Sequence, residues 1–543
     1  MLGLMQDRQL LISHIIEHAG RVHGDMPIVS LTTEGGRHEY GYQDCARRSR
    51  QLAQALQRLG VKLGDRVATL AWNGYRHVET WYGVAGIGAV AHTINPRLFH
   101  EQIVYIANHA EDKLLFFDLT FLPLIEALAP QFQSIETYVL MTDRAHMPET
   151  SKIPGLLCYE DLIAAETDDF DWPELDERTA AGLCYTSGTT GNPKGVLYSH
   201  RSTVLHGYGC CMADALGMHN ADVVAPIVPM FHANAWGIPY AAPMVGAKLV
   251  LNGPHFDAAS LYQLFETEKV NGSLGVPTVW LGLLAYLEET GARLSSLKNV
   301  VIGGAAAPRA MIDAFERKHG VNVIHAWGMT EMSPLGTTGT LSAKAAALPV
   351  DEQIALKTKQ GRVLYGVDMK IVDDEGRELP KDGKTFGHLM VRGPWVVKQY
   401  FKGEGGDILD ADGYFDTGDV ATIDPLGFMQ ITDRSKDVIK SGGEWISSID
   451  LENLAVGHPD VKEAAVIGIH HPKWDERPLL IVVPKSPGAV SKDAVLDHIK
   501  PHIASWWMPD DVAFLDELPH TATGKIQKLK LREMFRDYKL PGT

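Results

Sequence analysis

Cysteine is scarce: Cys45, Cys158, Cys184, Cys210 and Cys211 are the only five in 543 residues. They are odd in number and in no metal-ligand spacing, which argues against a disulfide framework or a zinc centre and for reduced, mostly buried thiols in a cytoplasmic protein. Positive charge is also in deficit, 50 Lys and Arg against 67 Asp and Glu for a net charge of −17. Nucleic acid and anionic membranes are thereby disfavoured as general partners, and a polyanionic ligand has to meet a local basic patch. Clean apolar runs are missing too. Asp7, Arg8, His14 and Glu17 interrupt the N-terminal stretch, which reads as an amphipathic helix rather than a secretory signal. The most apolar segment, Val223 to Leu251, contains Pro226, Pro229, His232, Asn234, Pro239 and Pro243, and reads as strands and turns rather than a membrane span. There is no fixed-period repeat and no low-complexity tract, so solenoid and disordered-scaffold classes fall away.

What is present is alternation. Arg47 to Leu59 has helical spacing, Asp65 to Trp72 is strand-like, His77 to Gly88 helical and Lys113 to Asp118 strand-like, an α/β pattern of parallel sheets with covering helices. A chain this long splits into more than one compact unit. The boundary falls near Asp433, where DRSKDVIKSGGE packs charges and a glycine pair between two strand-like regions. Beyond it a helix (Ser448 to Val456), strands (Glu463 to Ile469 and Leu479 to Val483), a helix (Lys492 to His502), a strand (Val512 to Leu515) and a terminal helix predict a small α+β unit of about 110 residues.

The strongest chemical signal follows the strand-like Ala181 to Cys184: Tyr185-Thr186-Ser187-Gly188-Thr189-Thr190-Gly191-Asn192-Pro193-Lys194-Gly195. Its glycines let backbone approach oxygen atoms, its hydroxyls can donate to phosphate and Lys194 adds a fixed charge. A Walker loop requires Gly-Lys-Ser/Thr opening a helix, whereas here Pro193 precedes the lysine and the chain resumes as strand. A Ser-His-Asp hydrolase is also excluded, since no Gly-x-Ser-x-Gly elbow is present.

This segment resembles the phosphate-binding signature of the adenylate-forming superfamily, which comprises acyl-CoA synthetases, peptide-synthetase adenylation domains and firefly-type luciferases. Further segments match in order over nearly the whole chain. His325-Ala326-Trp327-Gly328-Met329-Thr330-Glu331 is similar to the second nucleotide segment. The resemblance implies that Trp327 stacks on adenine, that Thr330 meets the α-phosphate, and that Glu331 with Thr186 holds Mg²⁺. Gly303-Gly304-Ala305 resembles the loop against adenine, with Gly304 also bordering substrate. Asp419, in Tyr414-Phe415-Asp416-Thr417-Gly418-Asp419, corresponds to the ribose acceptor, and Asp433-Arg434-Ser435-Lys436-Asp437 to a hinge whose Arg434 also reaches ribose. Lys525, in Pro519-His520-Thr521-Ala522-Thr523-Gly524-Lys525-Ile526, corresponds to the adenylation lysine.

For the acid, the resemblance places His232 beside the carboxylate and Trp236 at the gate of an acyl tunnel; no charged residue other than titratable His232 occurs from Ala225 to Val245. For CoA it implies the Ser441 to Ser447 segment with Gly442, Gly443 and Trp445, and Lys436 and Lys440 are basic residues suited to ATP and the CoA phosphates. Arg434, Lys436, Lys440, Lys525, Lys528, Lys530 and Arg532 form a basic concentration around the cleft. The wording HTINPRLFHEQIVYIANHAEDK (His92 to Lys113), LYSHRST (Leu197 to Thr203), HAWGMTEMSP (His325 to Pro334) and KWDERPLL (Lys473 to Leu480) is similar to that of bacterial medium-chain fatty-acid CoA ligases, a branch that also holds methylmercaptopropionate CoA ligases.

The expected fold is therefore α/β: a large N-terminal domain (1–432) with parallel-rich sheets and a small barrel-like part, a hinge (433–442) and a mobile α+β cap (443–543). The expected activity is a two-step ligation. Acid and ATP give acyl-adenylate and pyrophosphate, and CoA then gives acyl-CoA and AMP, with Mg²⁺ as cofactor and Thr186, Glu331, His232 and Lys525 as the catalytic set. A medium-chain fatty acid is the favoured substrate, with methylmercaptopropionate or a long-chain acid as alternatives and a non-catalytic nucleotide-binding regulator as a remote one. A homodimer is compatible with this reading. A peptide-synthetase module is disfavoured, because Thr543 follows Lys525 by only 18 residues.

Overall fold

A parallel strand covered on both faces needs an unbroken apolar run, and Leu114 to Phe117 supplies one, each residue of it buried. The computed structural model describes residues 1, 3–186, 192–441, 444–520 and 526–541, without the side chains of Glu444 and Trp445. In it this run belongs to a seven-stranded sheet, in spatial order Leu157–Cys158, Thr137–Leu140, Asp112–Phe117, Arg66–Leu70, Val90–Thr93, Ala180–Tyr185 and Gly195–Ser199. All its pairings are parallel except the last, a hairpin in which Tyr185 faces Gly195.

A nine-stranded sheet has six parallel strands, Asn322–Gly328, Asn299–Ile302, Gly272–Gly275, Val223–Pro226, Lys248–Leu251 and Pro27–Leu31. Arg37–Gly41 closes one edge antiparallel; Leu335–Thr338 and Arg362–Val363 close the other. The expected barrel-like part is a four-stranded antiparallel sheet, Asp368–Val372, Gly387–Arg392, Phe415–Ile423 and Met429–Arg434, whose outer strands do not pair with each other among the described residues. The next strand, Ile439–Ser441, already belongs to the last sheet, with Glu444–Ile446, Asp475–Pro484, Val461–His471 and Asp511–Phe514. That sheet carries a separate apolar cluster on each face, one around Val466 and Leu480, the other around Ile467 and Leu479.

Three sequence expectations need correcting. The N-terminal helix begins only at Ile12 and runs to Val22. Ahead of it the Leu10 N–H donates to Glu177 and the Ile12 N–H to His200 Nδ1 (3.1 Å), so distant side chains take amides that a longer helix would bond internally. The Val223–Leu251 segment contains a helix, Ile238–Val245, bracketed by Gly237 and Gly246 in the left-handed region; Pro239 falls in its first turn, where no N–H is needed. The helix from Lys492 turns into a 3₁₀ turn at Lys500–His502, where Pro501 has no amide to continue the ladder. No helix among the described residues is long and apolar enough to cross a membrane.

Candidate active site

Loops at the carboxyl ends of parallel strands gather on one edge of a sheet, and ligands bind there. Four such loops of the nine-stranded sheet, those after Pro226, Gly275, Ile302 and Gly328, line a single cavity of about 1350 Å³. Thr186 and Lys194 enter it from the seven-stranded sheet, Gly418 and Arg434 from the four-stranded sheet, and Glu463 and Lys528 from the C-terminal unit.

The hairpin after Tyr185 is clamped at its base. Thr186 N–H donates to Lys194 O (2.9 Å), and Lys194 N–H donates to Thr186 Oγ1 (3.2 Å). Ser187, Gly188, Thr189, Thr190 and Gly191 lie outside the described residues. The Lys194 ammonium rests 4.9 Å from the centre of the Tyr400 ring.

Between Trp327 and Gly328 a bulge shifts the register of the strand pairing. A Cβ on Gly328 would stand 2.0 Å from the Pro334 carbonyl oxygen, so only glycine lets these two backbones pass. Tyr198 OH donates to Thr330 O (2.6 Å) and Val397 N–H to Glu331 O (2.7 Å), which fixes the turn that carries both side chains. Glu331 is 8% exposed; its carboxylate accepts from Tyr400 OH (2.8 Å) and makes no ion pair with a described Lys or Arg. A buried carboxylate with one neutral donor is left short of charge compensation. Mg²⁺ commonly takes one or two carboxylates and completes its shell with substrate phosphates and water, so Glu331 and the Thr186 hydroxyl on the same cavity wall fit that ion.

Asp419, 2% exposed, has Oδ1 2.9 Å from Arg434 Nε while Oδ2 accepts from Trp327 Nε1 (3.2 Å). Trp327 and Arg434 line the cavity while Asp419 is bonded to both without lining it itself, so a diol reaching Asp419 has to compete with Arg434. On the acyl side, Ala233, Asn234, Ala235, Trp236 and Gly237 all have positive φ (41°, 54°, 48°, 53° and 78°). Left-handed backbone costs a non-glycine residue roughly 1–2 kcal/mol, and such strain persists only where surroundings over-determine it. They do here: Cys184 Sγ bonds Asn234 Oδ1 (3.4 Å), and a Cβ on Gly237 would stand 2.6 Å from the His206 ring. The turn presents the Trp236 indole to Gly303, where a Cβ would meet it at 3.0 Å. His232, Gly304 and Ala326 line the same cavity.

Not every expected residue arrives. His325 is wholly buried and off the cavity wall; its Nε2 accepts from Ala307 N–H (3.3 Å) and its Nδ1 lies 3.2 Å from Lys357 O, while burial pushes its pKa down to about 4. Lys440 is exposed and off the wall, whereas Lys436 and Lys530 are on it. The basic concentration is also partly neutralised. Lys528 lies 2.8 Å from Glu452 and 3.9 Å from Asp433, and Arg532 lies 2.6 Å from Asp437. Burial lowers the Lys528 pKa, but the two carboxylates outweigh it and hold the ammonium above its usual range. Gly442, Gly443 and Lys525 lie outside the described residues, as does the Trp445 side chain. Sequence reasoning passed over Tyr400 and Arg97. Both line the cavity, and the Arg97 guanidinium has no carboxylate partner among the described residues.

Residues 16–401 match the AMP-binding enzyme family model, and residues 450–525 match the AMP-binding enzyme C-terminal domain. The chain belongs to the AMP-binding enzyme family. This acyl-CoA ligase is 55% identical over 538 residues to 3-methylmercaptopropionyl-CoA ligase of Ruegeria pomeroyi, covering 99% of each chain. It is 51% identical over 537 residues to a medium-chain-fatty-acid–CoA ligase of Ectopseudomonas oleovorans, covering 99% of this chain and 98% of that one. A solved anthranilate CoA ligase in complex with anthranoyl-AMP superposes with a TM-score of 0.86 at 26% identity, covering 98% of the ligase and 99% of that chain. ATP, Mg²⁺ and CoA are thus the reagents of the ligase.

Across the connector that follows the four-stranded sheet, the ligase ties its C-terminal unit back to that sheet. Ser447 Oγ donates to Thr432 O (2.6 Å) and Ser448 N–H donates to Asp433 Oδ2 (3.0 Å). His520 and Ile526 pair in an antiparallel bridge, and both line the cavity.

Proposed function

We propose that the ligase activates medium-chain fatty acids. The observation carrying this is the acyl wall of the cavity: between Leu216 and Ala306 its only ionisable lining residue is His232, so this stretch offers no carboxylate to an amine-bearing tail, and an alkyl chain gains by burial. The 55% identity to the Ruegeria pomeroyi enzyme favours a second reading, methylmercaptopropionate. Thioester formation across straight-chain acids from acetate to stearate, with methylmercaptopropionate included, decides between them. A maximum among medium-chain acids supports the first reading; a maximum at the thioether acid with a steep fall beyond it supports the second.

In the first step a carboxylate oxygen attacks the α-phosphorus and the bond to pyrophosphate breaks; in the second the CoA sulfur attacks the acyl carbon and AMP leaves with its electron pair. Both partners of the first step are anionic, so its barrier yields to positive charge held in place. Lys194, the Thr186 hydroxyl and Lys525 act on the phosphates, together with the hydroxyls and glycines of the Ser187 to Gly191 segment. Glu331 and Thr186 would hold Mg²⁺, which supplies further charge neutralisation to the phosphates. Trp327, with Ala326, Gly328 and Gly304 beside it, takes the adenine, Thr330 the α-phosphate, Asp419 and Arg434 the ribose, and His232 the carboxylate. Residues 433–442 serve as the hinge on which the 443–543 cap turns, bringing Lys525 for the first step and Lys436, Lys440, Gly442, Gly443 and Trp445 toward CoA for the second.

Trp236→Ala is expected to shift the acyl profile toward bulkier acids while the KM for ATP holds. Each methylene in an apolar pocket is worth about 1–3 kcal/mol of discrimination, and removing the indole frees the space over Gly303. An unchanged profile with a collapsed Tm would mean that Trp236 only packs the core.

Arg97 lies 5.9 Å from the Trp72 ring centre and 5.4 Å from that of Phe256, and burial lowers its pKa. An exposed cation on the cavity wall with no carboxylate partner among the described residues suits a phosphate of CoA, because the Lys194 hairpin already serves ATP. Arg97→Ala is therefore expected to raise the KM for CoA about tenfold, the loss of one charged hydrogen bond. A rise in the KM for ATP instead would move Arg97 to the nucleotide.

A further inference from the structure

Lys194 and Glu331 carry opposite charges on one cavity wall, and both are needed unpaired: the ammonium for phosphate oxygens, the carboxylate for a cation. Opposite charges in a partly dry site attract, and a direct pair between them would cancel both functions. The structure holds no such pair. Between them stands Tyr400, with its ring 4.9 Å from Lys194 Nζ and its hydroxyl donating to Glu331 Oε1 at 2.8 Å.

We propose that Tyr400 is a positioning residue that keeps the phosphate lysine and the metal carboxylate apart and separately charged, so that the ligase binds ATP as its magnesium complex. This rests on the reading of Glu331 as the Mg²⁺ carboxylate. The ring face holds the ammonium by its quadrupole without neutralising it, as a carboxylate would. The hydroxyl has one hydrogen to give; spent on Oε1, it orients the carboxylate and leaves Oε2 for a cation, the kind of support that outer partners give to ligating carboxylates.

Its placement is braced from both directions. Upstream, Trp395 Nε1 donates to Leu335 O (3.0 Å), Ser333 Oγ to Trp395 O (3.0 Å) and Val397 N–H to Glu331 O (2.7 Å), lacing the 395–400 strand of chain onto the segment that bears Glu331. Downstream, Lys402 bonds Glu111 (2.5 Å), and Gly405 has φ 78° with the site of a Cβ 3.1 Å from Lys194 Nζ, so the chain passes close under the ammonium. Tyr400 is thus fixed relative to both charges.

Two variants separate the ring from the hydroxyl, measured without acid so that ATP is not consumed. Tyr400→Phe keeps the ring; it is expected to weaken Mn²⁺ binding to the enzyme–ATP complex, read by electron paramagnetic resonance of free Mn²⁺, about tenfold. Its affinity for ATP in EDTA, read by calorimetry, stays the same. Tyr400→Leu lets Lys194 fall onto Glu331, and is expected to weaken both Mn²⁺ binding and metal-free ATP binding. Unchanged Mn²⁺ affinity in Tyr400→Phe, or a lowered Tm as its only effect, overturns the proposal. Glu331→Gln is the reference: if it too leaves Mn²⁺ affinity unchanged, the Glu331 reading fails and the proposal with it, whereas a loss there beside an intact Tyr400→Phe sinks the Tyr400 proposal alone.

Discussion

Lys525→Ala is expected to slow pyrophosphate release from acid and ATP by about 10²- to 10³-fold, or about 3–4 kcal/mol, the usual cost of deleting a charge-stabilising donor. Conversion of supplied acyl-adenylate and CoA to thioester should stay near its normal rate. The asymmetry is the point of the experiment. An ammonium bridging the attacking carboxylate and the α-phosphate stabilises charge that shifts between them only in the first transition state. The second step has a thiol nucleophile and an acyl carbon, and makes no use of that bridge. Neighbouring His520 and Ile526 line the cavity, so the C-terminal unit reaches the site in this arrangement. Pyrophosphate release and thioester formation are assayed separately, with near-ultraviolet circular dichroism as the folding control. Equal loss in both half-reactions, or survival of the first, removes Lys525 from the role.

Gly328→Ala is expected to cost a comparable amount by a different route. The new Cβ would stand 2.0 Å from Pro334 O and 2.8 Å from Pro334 C, both backbone atoms that no side-chain rotation can move. The turn carrying Thr330 and Glu331 then has to open by about 1 Å, and displacements of that size in a catalytic constellation typically cost about 10²-fold in rate. The loss should appear in kcat/KM for ATP during pyrophosphate release. Gly282 is the control: it lies in the Pro277–Thr290 helix, and a Cβ there meets nothing within 4 Å. Gly282→Ala should leave activity unchanged and stabilise the helix by up to about 1 kcal/mol. Wild-type kcat/KM in folded Gly328→Ala would show that the turn tolerates the methyl.

Some of the candidate site was readable because its parts are local. The strands Ala180–Tyr185 and Gly195–Ser199 flank one Ser/Thr/Gly-rich word of the sequence, and the Trp327 to Glu331 turn follows directly from a strand end. His325 misled, since a histidine at a strand's end can face a ligand or the interior and only packing decides; here its two ring nitrogens serve Ala307 and Lys357. Arg97 and Tyr400 went unread for the opposite reason. Neither carries a pattern of its own, and each becomes notable only through what does or does not stand beside it in space.

The sequence by itself determined the alternation of strands and helices, the place where the sheets change near Asp433, the strand pair flanking the Ser/Thr/Gly run and the family, because each is written in neighbouring residues through periodicity, turn chemistry or a contiguous word. Only the tertiary structure decided where charge is free and where it is spent. Lys528 finds Glu452 and Arg532 finds Asp437 across long stretches of chain, while among the described residues Arg97 finds no acid and Lys194 finds an aromatic ring in place of one. The left-handed run from Ala233 to Gly237 is of the same kind: no local preference favours it, and it is held by Cys184 and His206 from other elements. Pairing, burial and strain are sums over neighbours in space, and a folded chain draws most of those neighbours from far away in its sequence.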